Sequence, residues 1–214
     1  MNKPHKIVPN YASELAAAAA GHAPVAGVDE AGRGPWAGPV VAAAVILDPE
    51  AIPDGIADSK ALNEKQRERV FDEIYRTSGV GVGISSAAEI DEINILNATL
   101  SAMRSALANL RIRPALALID GNRIPATTVP SRAIIKGDAT CLSIAAASII
   151  AKVTRDRMMI ELGRQYPGYG FERHKGYGTR EHQRSIARLG VMEQHRKTFK
   201  PIKLAMKFET IDEK

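Results

Sequence analysis

The sequence predicts an α/β protein, and three observations predict it. Short apolar runs punctuated by glycine and proline read as strands, at Val25 to Val28, Val40 to Leu47 and Ala115 to Ile119. Other stretches space their apolar residues by three and four, the period of a helix that buries one face. Two of the strands run straight into carboxylates, Asp29 and Glu30 after the first and Asp120 after the third. Open α/β sheets usually place their ligands at such strand ends.

The stretch Val25 to Val41 is a strand, a tight corner and a second strand, with three glycines, two prolines and Arg33 packed into the corner. Gly32 and Gly34 flank Arg33, so the backbone there can take positive φ and let a ligand approach the peptide groups. Strict alternation would send Asp29 and Glu30 to opposite faces, so a shared metal requires the strand to distort beside the glycines.

After a turn at Pro49 to Pro53, Asp58-Ser59-Lys60 leads into a helix from about Asn63 to Thr77, with Val70, Phe71 and Ile74 on one stripe. Gly79 to Ser85 alternates glycine with β-branched residues, a strand with something packed closely on its glycine face. Its G-x-G-x-G spacing, with no helix start directly after it, is not a dinucleotide fingerprint. Leu96, Leu100, Met103, Leu107 and Leu110 place a second helix over about 95–110. The apolar run ending at Asp120-Gly121-Asn122 follows, then a strand from Thr127 to Ile135 ending in Lys136-Gly137-Asp138. Asp138 stands at the amino end of a long, apolar and therefore buried helix, Ala139 to about Gln165, where it could also serve as N-cap. Beyond Pro167, glycines and aromatic rings alternate among Arg173, His174 and Lys175, and Arg180, Arg184 and Arg188 follow at helical spacing. Rings interleaved with cations suit a sugar-phosphate chain. His174 and His182 are too isolated to suggest zinc, with no cysteine partner near them.

Composition narrows the classes. The 214 residues suffice for one domain with a sizeable core. No apolar segment reaches the roughly 18 residues that span a bilayer, so no membrane association is expected. Lys3 and Lys6 precede Leu15 to Ala20, but Pro9, Asn10 and Glu14 interrupt the pattern, and residues 1–24 read as a flexible, frayed helical tail instead of a signal peptide. The single Cys141 fits a core thiol in a reducing cytoplasm. The net charge of +5 is unevenly spread: residues 152–207 hold 14 Lys+Arg against 5 Asp+Glu, whereas residues 1–151 hold 14 against 16. Acids gathered at strand ends beside a basic carboxy-terminal quarter are what an enzyme would need to act on a polyanion through Mg²⁺ or Mn²⁺. A nucleic-acid-binding module remains the alternative from another class, although its acids would repel phosphates unless a cation intervened. Neither a P-loop nor a G-x-S-x-G elbow is present.

The motifs Gly27-Val-Asp-Glu-Ala-Gly-Arg-Gly-Pro-x-Ala-Gly-Pro-Val40, Asp58-Ser-Lys60, Ile119-Asp-Gly-Asn122, Lys136-Gly-Asp138 and His174-Lys-Gly-Tyr-Gly-Thr179 together resemble the bacterial ribonuclease HII family, in its order and from residue 25 to about 190. The resemblance implies an RNase H-like fold, a mixed central sheet flanked by helices, with a basic helical extension from about residue 167 inside a catalytic unit of 25–207 and an acidic tail of 208–214. It implies an endonuclease that hydrolyses RNA in RNA/DNA hybrids and cuts 5′ of single ribonucleotides in duplex DNA, leaving 3′-hydroxyl and 5′-phosphate ends. Two-metal catalysis with Mg²⁺ or Mn²⁺ is expected of it. By matching position, Asp29, Glu30, Asp120 and Asp138 would be the metal-binding acids. Gly32, Arg33 and Gly34 would contact the 2′-hydroxyl side of the ribonucleotide, and Tyr177 would stack on the adjoining deoxynucleotide sugar. Lys60, Lys136 and Lys152 would contact phosphates. A monomer is expected, while the sequence does not say whether a sliding clamp or another partner recruits the protein through its tails. Trp36 fills a variable position and is given no role. Sharing the fold and the acids, a DNA resolvase or transposase would need no device to sense a 2′-hydroxyl.

Overall fold

The structure, a computed structural model, describes residues 8–57 and 59–209. Asp58 of the Asp-Ser-Lys motif, residues 1–7 and residues 210–214 of the acidic tail lie outside the described residues.

Five strands form one mixed sheet: β1 (Val25–Ala31), β2 (Val40–Ile46), β3 (Gly79–Ser85), β4 (Leu116–Asp120) and β5 (Ser131–Ile134), in the order β3-β2-β1-β4-β5. β1 to β3 pair antiparallel, while β1, β4 and β5 run parallel. The helices in chain order are α1 (Ala12–Ala19), α2 (Glu64–Thr77), α3 (Ala87–Ala108), α4 (Gly137–Thr140), α5 (Leu142–Gln165), α6 (Phe171–His174), α7 (Arg180–Leu189) and α8 (Lys200–Glu209).

Alternation divides the sheet's two faces. Ala26, Val28, Val40, Ala42, Ala44, Ala117 and Ile119 pack under α3, and Ala43 and Val45 pack under α2 and α5. Val70, Phe71 and Ile74 of α2 are buried as their spacing predicts. The glycine face of β3 is also explained. A Cβ added to Gly81 or Gly83 would lie 2.2 or 2.0 Å from the Ala106 or Ala102 carbonyl oxygen of α3, so only glycine lets that helix settle on the strand.

Four local expectations are corrected. A helix does follow β3 directly: α3 begins at Ala87, with Ser86 and Glu89 forming a reciprocal capping box, and Asn94 at φ 67° kinks it before the 95–110 segment. The fifth strand is confined to Ser131–Ile134, because Pro130 has no N–H to give a ladder. Asp138 is not the N-cap of one long helix, since the chain forms α4, passes through an extended Cys141 and restarts as α5. The expected tail contains α1, whose Glu14 and Ala17 are buried, so the body of the molecule extends forward of residue 25.

Candidate active site

The end of the sheet collects the predicted acids. The register pairs Val28 with Ile119 on parallel strands, which sets Asp29 abreast of Asp120 on the face that carries α5. β1 stays in register with β2 through Ala31, so the expected distortion at the acid pair does not occur. Glu30 leaves on the other face, and its longer side chain brings its carboxyl near Asp29 and Asp120 at the strand end. Asp138 arrives from α4. Asp120 Oδ1 accepts from Gly137 N at 2.7 Å and Asp138 N at 3.3 Å, capping the turn that Asp138 does not cap itself. A Cβ on Gly137 would lie 3.3 Å from Asp120 Oδ1, which leaves little room for any other residue there.

Asp29 is 5% exposed, with Oδ1 accepting from Glu30 N at 2.7 Å. The Ser148 hydroxyl of α5 also reaches its carboxyl and lies 2.8 Å from the Ser59 hydroxyl. Lys60 Nζ is 3.0 Å from Asp138 Oδ2. The Ser-Lys pair after Asp58 therefore connects to two of the four acids. Burial pushes the Asp29 carboxyl well above the usual range, and the neighbouring Glu30 and Asp120 charges push it further. Glu30 is raised by burial against the opposing pull of Arg33, and Asp120 by burial and then by Asp138.

The corner between β1 and β2 is held from beneath by two buried arginines that sequence reasoning missed. Arg196 donates to the carbonyls of Gly32 (2.6 Å), Pro35 (2.8 Å), Arg33 (2.9 Å), Gly38 (3.0 Å) and Pro39 (3.2 Å). Arg155 donates to Pro39 (2.9 Å), Lys175 (3.0 Å) and Ala37 (3.2 Å). Burial lowers their guanidinium pKa values to about 9 and about 10, so both stay charged at neutral pH. Gly32 has φ +98°, and a Cβ there would fall 2.0 Å from Arg155 Nε. With its carbonyls drawn inward, the corner presents Arg33 and Gly34 outward, and Arg33 Nη1 lies 3.2 Å from Glu30 Oε1.

Tyr177 is brought to this corner, with its Cε1 3.7 Å from where a Gly34 Cβ would stand. Trp36, given no role from sequence, connects the two segments: its N–H donates to the Gly176 carbonyl at 2.8 Å and its ring lies against Gly178. Behind the tyrosine, His174, His182 and His195 form a buried cluster. Their partners fix their protons. His182 Nδ1 faces the Tyr177 carbonyl at 3.0 Å and must donate, so its Nε2 accepts from His195 Nε2 at 3.1 Å, while His195 Nδ1 accepts from Met192 N at 3.0 Å. His174 donates through Nε2 to the Tyr169 carbonyl and accepts Gly176 N on Nδ1. The histidines are gathered, not isolated, yet their ring nitrogens are committed to hydrogen bonds and not to a metal.

Lys136 is exposed beside α4, at φ 57°. Lys152 is tied to Asp156 at 2.7 Å. Among the described residues no three Asp, Glu, His or Cys side chains close around a point as ion ligands, and cations of the chain lie against two of the four acids. The donor set still fits a hard divalent ion. It is all oxygen, and it concentrates carboxylates whose ionised forms are disfavoured without added positive charge.

The model of the ribonuclease HII family matches residues 26–202. The ribonuclease HII of Magnetococcus marinus is 58% identical over 180 residues, 83% of this chain and 84% of that protein. That of Ruegeria pomeroyi is 53% identical over 195 residues, 91% and 83%. Among solved structures, the ribonuclease H2 from Pyrococcus horikoshii OT3 superposes with a TM-score of 0.72 at 30% identity, covering 86% of this chain and 97% of that one. The RNase HII in a complex with PCNA from Archaeoglobus fulgidus gives 0.70 at 29%, covering 82% and 95%. The Bst-RNase HIII in complex with Mn²⁺ gives 0.66 at 24%, covering 86% and 69%, a likeness of fold. An RNase H-like sheet, the acids at its end and relatives more than half identical over most of the chain lead to one conclusion: this chain belongs to the ribonuclease HII family, endonucleases that cleave the RNA of RNA/DNA hybrids.

Proposed function

We propose that the chain is a hybrid ribonuclease that also incises duplex DNA 5′ of a single embedded ribonucleotide, with Asp29, Glu30, Asp120 and Asp138 holding Mg²⁺ or Mn²⁺. The observation that carries this reading is the meeting of the Gly32 to Gly34 corner, the Tyr177 ring and the four acids at one end of the sheet. A pair of ions bound there would supply an activated water and neutralise charge on the leaving 3′ oxygen.

The chain's own groups do the remaining work. Gly32 to Gly34 lie close to the backbone of whatever enters, and with the Gly32 and Arg33 carbonyls turned toward Arg196 the outward peptide edges, beside the Arg33 side chain that pairs with Glu30, can meet a 2′-hydroxyl, the group that separates RNA from DNA. Tyr177 is 47% exposed and offers a ring face to the next sugar. A deoxyribose there, with no 2′-hydroxyl, stacks without an unpaired polar group, which is how the junction would be sensed. Lys60 and Lys136 stand beside Asp138 and can meet phosphate. Lys152, held by Asp156, is a weaker candidate. The protein acts as a monomer in the cytoplasm, and clamp contact is a further part of the proposal, prompted by the archaeal PCNA complex.

The test uses a duplex with one ribonucleotide and an all-DNA control, each incubated with Mg²⁺, Mn²⁺ or a chelator and resolved on a denaturing gel. Metal-dependent cutting 5′ of the ribonucleotide, with the control intact and Asp29→Asn folded but inactive, is the expected outcome. Binding of both duplexes without cutting under any ion would overturn the enzyme reading in favour of a binding module. A folded Asp29→Asn that still cuts would overturn the metal assignment.

A further inference from the structure

The break between α4 and α5 is not what the local sequence favours. From Ala139 to Ile150 the residues are mostly small or apolar, with four alanines and a leucine and no glycine or proline to stop a helix, and only Cys141 is extended, at φ −113° and ψ 125°. An extended residue between two helices strands backbone groups that a continuous helix would have paired. Here the stranded groups are met by the segment that precedes β1. Asn10 N–H donates to the Thr140 carbonyl at 3.2 Å, and Leu142 N–H donates to the Asn10 carbonyl at 3.0 Å. Glu14 Oε1 accepts Ser143 N–H at 2.7 Å and the Cys141 thiol at 3.1 Å. Glu14 is 1% exposed, and burial, followed by the Glu14 charge, pushes the Cys141 thiol up to about 12, so it remains a donor at neutral pH. Among the described residues Glu14 Oε2 has no hydrogen-bond partner, so holding this buried carboxylate at the break carries a cost.

We infer that residues 10–14 are a strap that holds the α4–α5 break open and that Glu14 is thereby a positioning residue for Asp138. The inference rests on the metal reading of the four acids. α4 is a single turn carrying Asp138, fixed at one end by Asp120 and at the other by the strap. Joining α4 to α5 would rewind that turn about the α5 axis and carry Asp138 away from Asp120 and from the end of β1.

Mn²⁺ binding to the full chain without nucleic acid, followed by titration calorimetry, tests this on wild type, Glu14→Ala, Glu14→Gln, Asn10→Pro and Asp138→Asn, with thermal melts to confirm folding. Glu14→Ala is expected to weaken Mn²⁺ by roughly tenfold, the scale seen when groups that orient metal ligands are removed. Glu14→Gln, which keeps an oxygen for Ser143 N–H, is expected to stay within about twofold of wild type. In cleavage assays the same Glu14→Ala should lower kcat at limiting Mn²⁺ and leave KM for the hybrid unchanged. Wild-type Mn²⁺ affinity in Glu14→Ala alongside weak binding in Asp138→Asn overturns the strap, as does a Glu14→Gln as weak as the alanine. Wild-type affinity in Asp138→Asn overturns instead the metal reading beneath it. If Glu14→Ala does not fold, Asn10→Pro, which deletes one N–H of the strap, is judged by the same tenfold weakening.

Discussion

Asp29 is the residue at which burial and charge oppose function most directly. Its carboxyl is buried at a strand end with Glu30 and Asp120 beside it, and its pKa lies well above the ordinary value. A folded-state pKa above the unfolded one means the folded chain binds the proton more tightly. The resulting stability is full below about pH 4, the unfolded value, and is lost as pH rises through the folded pKa. As pH rises toward neutral the crowded carboxyls therefore become a net strain on the fold. Asp29→Asn should raise stability in metal-free buffer at pH 7 to 8, each kcal/mol gained appearing as a rise of roughly 2–4 °C in Tm. The same variant should lose most of the further Tm rise that Mg²⁺ or Mn²⁺ gives wild type, since ligand stabilisation follows occupancy of the site. Arg196 poses the opposite case, a buried cation satisfied entirely by carbonyls. A lysine keeps the charge but has three donors on a single atom and cannot span five carbonyls between Gly32 and Pro39. Arg196→Lys should cost roughly 2–4 kcal/mol in a denaturant melt. It should also blur the preference for the ribonucleotide duplex over DNA more than it lowers metal affinity, because the group it displaces is the corner.

Among the elements, the loop bearing Tyr177 depends on three hydrogen-bonded histidines, two of them held neutral by burial. Each lone pair is already occupied: His195 Nδ1 by Met192 N–H, His182 Nε2 by His195 and His174 Nδ1 by Gly176 N–H. Protonating His182 or His195 sets two hydrogens against each other. Burial accordingly lowers His182 and His195 to about 4. For a depressed histidine the stability is fully present above the unfolded pKa near 6.5 and is lost as pH falls toward the folded value, about 3 kcal/mol for one histidine over that window. Thermal melts should therefore fall in Tm from pH 6.5 to 4.5, and amide protection in 174–182, relative to the intrinsic exchange rate at each pH, should fall over the same range; a flat profile would show that the network does not hold the loop. His195→Gln, which keeps a donor for His182 Nε2, should flatten the slope. None of this was legible in sequence, where His195 lies 13 residues from His182 and nothing in the spacing joins them. What could be read were features with a local period or a motif: the strand runs into Asp29 and Asp120, the α2 stripe, the glycine face of β3. Breaks escaped for the opposite reason. Residues 139 to 150 look helical throughout, and the groups that interrupt them at Cys141 come from Asn10 and Glu14, far away in the chain. The positioning arginines were missed because, seen as charges in a basic quarter, they resembled phosphate contacts, whereas Arg155 and Arg196 are 1% and 0% exposed.

At the scale of the whole molecule, that distinction changes how the positive quarter should behave. Residues 152–207 carry 14 Lys+Arg, but Arg155 and Arg196 are buried, and Lys152, Arg157 and Arg173 are paired with carboxylates. Arg180 and Arg184 of α7 are exposed and stand one helical turn apart, on the helix that follows the Tyr177 loop directly. Cations that meet phosphate release condensed counterions, and each such contact adds about 0.9 to the slope of log affinity against log salt on a B-form duplex. Arg184→Ala should therefore weaken hybrid binding uniformly across sequences and reduce that slope by about 1, with no change in the preference for a ribonucleotide over DNA. Arg196→Lys should do the reverse, leaving the slope alone and eroding the preference. Binding measured by fluorescence anisotropy in Ca²⁺ from 50 to 300 mM salt, on paired ribonucleotide and all-DNA duplexes, separates the two effects. If Arg184→Ala left the slope unchanged, α7 would lie outside the duplex footprint, and the charge asymmetry would reflect the support of the corner more than the holding of nucleic acid.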